Sequence, residues 1–179
     1  MPNKVPRAYI DACYFIDVLR GRNSKLDADR VEHIPFVEGL LLAAQSGDIE
    51  LWASTLIIPE CLSIDKQDLN VPEQIKEDFK ALLSSGHPVK LQAVDVFIAE
   101  KARSLRWDHK LSCGGGADMI HLATALELGC EEFITTNKKR GPLNANCTAA
   151  LAKMGLRVIT APQTSLLPPQ FYKPLLSKV

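Results

Sequence analysis

The 179-residue chain carries no excess of either charge. Lys+Arg and Asp+Glu number 21 each, for a formal net charge of +0. No net field draws it to nucleic acid or to an anionic membrane, so any such binding must come from a local patch. It lacks a long apolar run, and none approaches the roughly 20 residues that a membrane span needs. The opening MPNKVPRAYID holds no signal-like apolar region, because Asp11 interrupts it at once. Cysteine is sparse and unpatterned: Cys13, Cys61, Cys113, Cys130 and Cys147 are odd in number and include no CxxC pair. They read as reduced core thiols of a cytoplasmic protein rather than as a disulfide framework. Neither an HExxH helix nor a paired-cysteine zinc pattern exists. Internal repeats and low-complexity tracts are also missing. The run Gly114-Gly115-Gly116 is not followed by Gly-Lys-Ser/Thr, so it is not a phosphate loop. Met119 stands where a dinucleotide fingerprint needs its last glycine.

What is present is ordinary globular composition, 46% hydrophobic and 23% charged, in a length suited to one well-buried domain. The chain is organised around residues 114–139, GGGADMIHLATALELGCEEFITTNKK. From 117 to 128 nearly every face is apolar, which marks a helix covered on both sides. Gly129 stops it, and the short strand 133–135 runs out into a polar tip. Strands are expected at 5–10, 49–53, 89–94 and 156–160 as well. Helices are expected at 13–19 (closed by Gly21), 35–46, 72–83, 96–105 (capped by Asp95) and 148–154. Residues 23–33 read as a loop or insertion. Ser54 or Thr55 is placed to cap the helix that contains Pro59. Strands that alternate with helices imply parallel pairing through right-handed crossovers. The expected fold is a three-layer α/β/α sandwich with a central parallel β-sheet over residues 5–160. A proline-rich tail, 161–179, follows, and its apolar residues cover a surface of the same chain or of a second copy in a homodimer.

Three carboxylates stand out among apolar neighbours: Asp11 in AYIDACYF, Glu60 in TLIIPECLSI and Asp118 at the start of the buried helix. Taken singly, each has a bland reading. Asp118 and Asp11 could be helix caps, and Glu60 the exposed edge of an amphipathic helix. In a parallel sheet, however, all three project at the carboxyl edge, where such folds bind ligands. Two carboxylates about 5 Å apart repel by roughly 3 kcal/mol at an effective dielectric near 20. A cluster of three is tolerable only with a proton or a cation, and oxygen ligands select hard ions such as Mg²⁺ or Mn²⁺.

In order and context these motifs resemble the PIN (PilT N-terminal) domain ribonuclease family. The resemblance rests on YIDAC at Asp11, STLIIPECL at Glu60, GADMIHLATALELG at Asp118 and ITTN at Thr135 to Asn137. It implies a divalent-metal-dependent endoribonuclease, similar to the toxins of VapC-type toxin–antitoxin pairs. Asp11, Glu60 and Asp118 would then hold Mg²⁺ or Mn²⁺, and Asn137 would stand in the place of the usual fourth acid. The resemblance also implies an RNA substrate and an antitoxin protein as partner. Past the strand end, Lys138, Lys139 and Arg140 read either as contacts to RNA phosphates or as a solvated basic turn. The Thr135 hydroxyl can bond a ligand carboxylate or a phosphate. Cys13 also departs from the family pattern, where a small hydroxyl or amide residue is common. Two rivals remain open at this stage. One is a PIN domain of weak or no activity that binds RNA or protein, a reading favoured by Asn137. The other is a phosphoryl-transfer enzyme of the haloacid dehalogenase type, disfavoured because Cys13 occupies the position of its second acid. His121, three residues past Asp118, reads either as a neighbour of the metal or as a satisfied semi-buried histidine. Arg20 and Arg22 are weaker phosphate-binding choices.

Overall fold

Five short strands with buried centres can satisfy their backbone only by pairing with one another, and they do so in one parallel sheet. In the computed structural model, which describes residues 4–23, 26–62, 70–83, 88–138 and 140–172, these are β1 (Arg7–Ile10), β2 (Glu50–Ser54), β3 (Val89–Gln92), β4 (Glu132–Ile134) and β5 (Arg157–Ile159). Their order is β3-β2-β1-β4-β5, and every adjacent pair is parallel. Parallel neighbours require crossovers, which are supplied by α1 (Ala12–Asn23), α2 (Ala28–Val31), α3 (Ile34–Gln45), α4 (Ile57–Glu60), α5 (Glu73–Leu83), α6 (Val96–Trp107), α7 (Gly116–Glu127) and α8 (Ala145–Lys153). The result is the expected α/β/α sandwich. Strand β1 is central, and Ala8, Tyr9 and Ile10 are fully buried. The chain winds outward from β1 in both directions, so the crevice at the ends of β1 and β4 is the topological switch point.

Helix α7 packs on α6 and β2 with Met119, Leu122, Ala123 and Ala125 buried. A fully buried leucine such as Leu122 contributes roughly 1.5–3 kcal/mol through the area it removes from water. Gly129, at φ +62, provides the left-handed stop that the sequence called for. Asp95 caps α6 by accepting the Ile98 N–H at 2.9 Å. Three local expectations differ from the structure. Helix α1 runs through Gly21 to Asn23, and the stretch read as a loop contains the single turn of α2. Neither Ser54 nor Thr55 caps α4. The Thr55 hydroxyl accepts the Val94 N–H at 3.3 Å, and Ser54 turns inward to a buried histidine.

The cysteine reading needs a correction. Cys113 and Cys147 form a disulfide, with Cα atoms 5.7 Å apart across a sequence separation of 34. The fold brings α8 back beside the loop that leads into α7, a proximity that scattered spacing does not encode. Cys13, Cys61 and Cys130 are free thiols. Among the described residues no helix is long and apolar enough to cross a membrane.

Residues 161–172 lie over α3. Leu166, Leu167 and Phe171 pack on the core, and the rings of Tyr172 and Phe36 stand 4.8 Å apart. Gly39 permits this approach, since a Cβ there would come within 2.7 Å of the Phe171 carbonyl oxygen. The buried Glu132 carboxylate fastens the segment, accepting the Thr164 hydroxyl at 2.5 Å and the Ser165 N–H at 3.0 Å while pairing with Arg157. Leu175 and Leu176, which belonged to the same expectation, lie outside the described residues.

Glu50 ties β1, β2 and β3 together at the amino-terminal end of the sheet. It accepts Lys90 Nζ and Arg7 Nε at 2.6 Å each, and Trp52 Nε1 at 3.2 Å. The Lys90 hydrogen bond holds its carboxyl down, against partial burial and with help from Trp52 and Arg7, to about 2. A depressed carboxylate stabilises the fold above its ordinary value of 4.5 and loses that contribution as pH falls toward 2. Glu50→Gln is expected to lower stability by about 1 kcal/mol at neutral pH, the figure allowing for solvent screening. That loss should shrink steadily below pH 5. Urea unfolding across this range checks it, and a loss independent of pH would contradict the assignment.

Candidate active site

Asp11 follows β1 directly, and the pairing of β1 with β4 fixes its backbone through an N–H to Ile134 O bond of 3.0 Å. Its Oδ1 accepts the Ala12 N–H at 2.8 Å. Its Oδ2 accepts the hydroxyl of Thr135, the residue just past β4, at 2.5 Å. The Cys13 thiol lies 3.5 Å from the same oxygen. Thr135 is fully buried, and its Oγ1 also accepts the Asn137 N–H at 3.1 Å. One hydroxyl therefore orients both the acid and the loop that carries Asn137.

Glu60 closes α4, and its Oε2 lies 2.8 Å from His121 Nε2 on α7. His121 is 2% exposed. Its Nδ1 stands 2.6 Å from the Tyr9 hydroxyl and 3.1 Å from Ser54 Oγ. The Ser54 N–H donates to the Tyr9 hydroxyl at 2.8 Å. Two strand ends and one helix thus clamp a single imidazole. The donor atoms of Asp11, Glu60 and His121 all fall within 4.8 Å of one another.

The electrostatics follow from this crowding. Burial pushes the Asp11 carboxyl above its ordinary value, and the charges of Glu60 and Asp118 add to that rise, while His121 and Thr135 oppose it. Burial works against a charge on His121, but the Glu60 hydrogen bond and the field of Asp11, Glu60 and Asp118 outweigh it and raise the imidazole. Burial, then the Asp11 charge, raises the Cys13 thiol well above its ordinary value, so it is a poor nucleophile. Two carboxylates and an imidazole converging in a partly closed crevice, with the most buried acid driven upward, fit a divalent cation.

Asp118 is the third residue of α7. Its Oδ2 accepts the Gly115 N–H at 2.8 Å, and its Oδ1 accepts Asn137 Nδ2 at 3.0 Å. It lines the same cleft, of about 1020 Å³, but does not belong to the three-donor group. Two glycines make this placement possible. Gly114 has φ +103, and a Cβ there would stand 2.1 Å from Asp118 Oδ2. A Cβ on Gly141 would stand 2.3 Å from Asn137 Cγ.

Of the cationic residues singled out in the sequence, Lys138 and Arg20 line the cleft. Lys139 lies outside the described residues, as does the side chain of Arg22. Arg30 also faces the cleft, held by the nearly buried Asp17 at 2.7 and 3.0 Å. Sequence reasoning missed Arg30, Tyr9, Ser54 and Gly141. Arg30 lay in a segment without period, Tyr9 read as an ordinary strand residue, and Ser54 read as a helix cap. Only the glycine run before Asp118 carried a visible signal.

Comparisons with known proteins agree with this architecture. The family model described as PIN domain matches residues 8–140. None of the curated proteins matches the chain. Among solved structures, VapBC2 from Rickettsia felis bound to a DNA fragment from their promoter superposes with a TM-score of 0.52 at 12% identity, covering 86% of this chain and 98% of that one. At that identity the likeness is one of fold.

Proposed function

This chain belongs to the PIN domain family, and on that premise we propose that it is a divalent-metal-dependent endoribonuclease whose site is the cleft at the ends of β1 and β4. The observation that carries the reading is the convergence of the Asp11, Glu60 and His121 donor atoms within 4.8 Å. Asp11 and Glu60 would hold Mg²⁺ or Mn²⁺, with Asp118 facing the ion from the helix start. A bound ion supplies an activated water and neutralises charge on the phosphodiester. Thr135 keeps Asp11 in one rotamer, and Gly115 with Asn137 does the same for Asp118. Lys138 and Arg20, which line the cleft among its acids, would meet the RNA backbone, and Lys139 follows in the chain. The biological setting we infer is that of a toxin held by an antitoxin protein, in a homodimeric assembly. The Rickettsia felis structure, VapBC2 on a DNA fragment from its promoter, supports the antitoxin partner.

One observation favours a second reading. Asn137 spends its amide on Asp118, so the fourth position neutralises an acid where the resemblance leads one to expect another acid. A binding module without catalysis would tolerate that. End-labelled RNA incubated with Mg²⁺, with Mn²⁺ and with EDTA separates the two. Internal cleavage in either metal, stopped by EDTA, is expected. RNA retention without cleavage in both metals would establish the binding module instead.

A further inference from the structure

We propose that His121 is an inner ligand of the ion through Nε2, and that the site therefore prefers Mn²⁺ and other nitrogen-accepting ions to Mg²⁺. The proposal rests on the metal-dependent reading above and goes beyond it by assigning a ligand and a selectivity. The spacing is right for ligation. Adjacent ligands on an octahedral ion with bonds of about 2.1 Å stand roughly 3 Å apart. His121 Nε2 and Glu60 Oε2 are 2.8 Å apart, and the Asp11 donor lies within 4.8 Å of both. A bound ion would be held between these donors, where His121 Nε2 and Glu60 Oε2 now meet.

The other ring nitrogen is held as a ligating histidine requires. A histidine that binds metal through Nε2 keeps its proton on Nδ1 and donates it to an outer partner. Ser54 Oγ at 3.1 Å is in place to accept it, beside the Tyr9 hydroxyl at 2.6 Å, which already accepts the Ser54 N–H. Both residues are fully buried, so the ring cannot turn away. Asp118 is in a different position. One of its oxygens is tied to Gly115 N–H and the other to Asn137 Nδ2. The set nearest the ion is thus two carboxylates and one imidazole. Mg²⁺ demands oxygen and gives up water reluctantly, whereas Mn²⁺, Co²⁺ and Zn²⁺ accept imidazole.

The test needs no RNA. Pulsed electron paramagnetic resonance on the full chain loaded with Mn²⁺ should show nitrogen modulation from a directly bound imidazole, and His121→Gln should abolish it. In calorimetry with the metals alone, His121→Gln should weaken Mn²⁺ and Co²⁺ by more than about 100-fold, beyond the 10–100-fold typical of an outer partner, with Mg²⁺ changing less than threefold. Should the variant fail to fold, the spectrum of the parent chain still decides. Bound Mn²⁺ without nitrogen modulation would overturn this ligand assignment and leave the nuclease reading intact. A parent chain that takes up no divalent ion at millimolar concentration would overturn both.

Discussion

Asp11→Asn is expected to raise the melting temperature of the metal-free protein at neutral pH and to cut metal-dependent RNA cleavage by more than about 100-fold, beyond the 10–100-fold typical of outer partners of a metal ligand. Asp11 is 9% exposed, and its carboxyl is raised first by burial and then by Glu60 and Asp118. A carboxyl raised in the folded state contributes stability below its ordinary value of 3.8 and loses it as pH rises through the folded value. At neutral pH the ionised group therefore weighs against the fold. Asparagine removes the charge and keeps the contacts, since its carbonyl oxygen accepts the Ala12 N–H and its amide donates to Thr135 Oγ1. Lost attraction to His121 offsets part of the gain. Each kcal/mol relieved lifts the midpoint by about 2–4 °C in a chain of this size. Thermal melts across pH, with and without Mn²⁺, check the claim. The gain should vanish near pH 4, and the Mn²⁺-induced shift should be lost in the variant. A variant that melts lower than the parent at pH 7 yet cleaves RNA normally would remove Asp11 from the site.

Asn137→Asp should act in the opposite sense. The Asn137 amide now donates to Asp118 Oδ1 at 3.0 Å, so an aspartate would set carboxylate against carboxylate. The position is exposed, and water screens the repulsion to about 1 kcal/mol. The metal-free variant should therefore melt a few degrees lower than the parent. In exchange Asp118 gains a fellow acid in place of a neutral amide, so Mn²⁺ should bind at least about tenfold more tightly, equivalent to about 1.4 kcal/mol. Cleavage should rise most at low metal concentration. Single-turnover assays over a metal series, paired with calorimetry, read both effects. Unchanged affinity would place Asn137 outside the reach of the ion, and the binding-module reading would gain.

The fold was legible because its signals are local and mutually consistent. Five apolar runs of strand length alternate with helices, and the stops at Gly129 and Gly155 require only the chain's own handedness. Asp11, Glu60 and Asp118 could be gathered into one cleft because topology alone sends strand ends to one edge. What the sequence hid depends on contacts distant in the chain. The inward turn of Ser54 depends on His121, 67 residues away, and the clearance at Gly141 depends on where the Asn137 loop comes to rest. The Cys113–Cys147 disulfide exists because α8 returns beside the loop before α7. His121 was noticed but left open, since helical spacing put it near Asp118 without saying which of its nitrogens would face the acids.

The most direct test of the central claim is a calorimetric titration of the parent chain and Asp11→Asn with Mn²⁺, in metal-free buffer at neutral pH. The account predicts one ion bound per parent chain, with affinity in the micromolar to millimolar range, and no binding by the variant. Identical isotherms for the two proteins, or a parent chain that binds nothing at millimolar Mn²⁺, would contradict it.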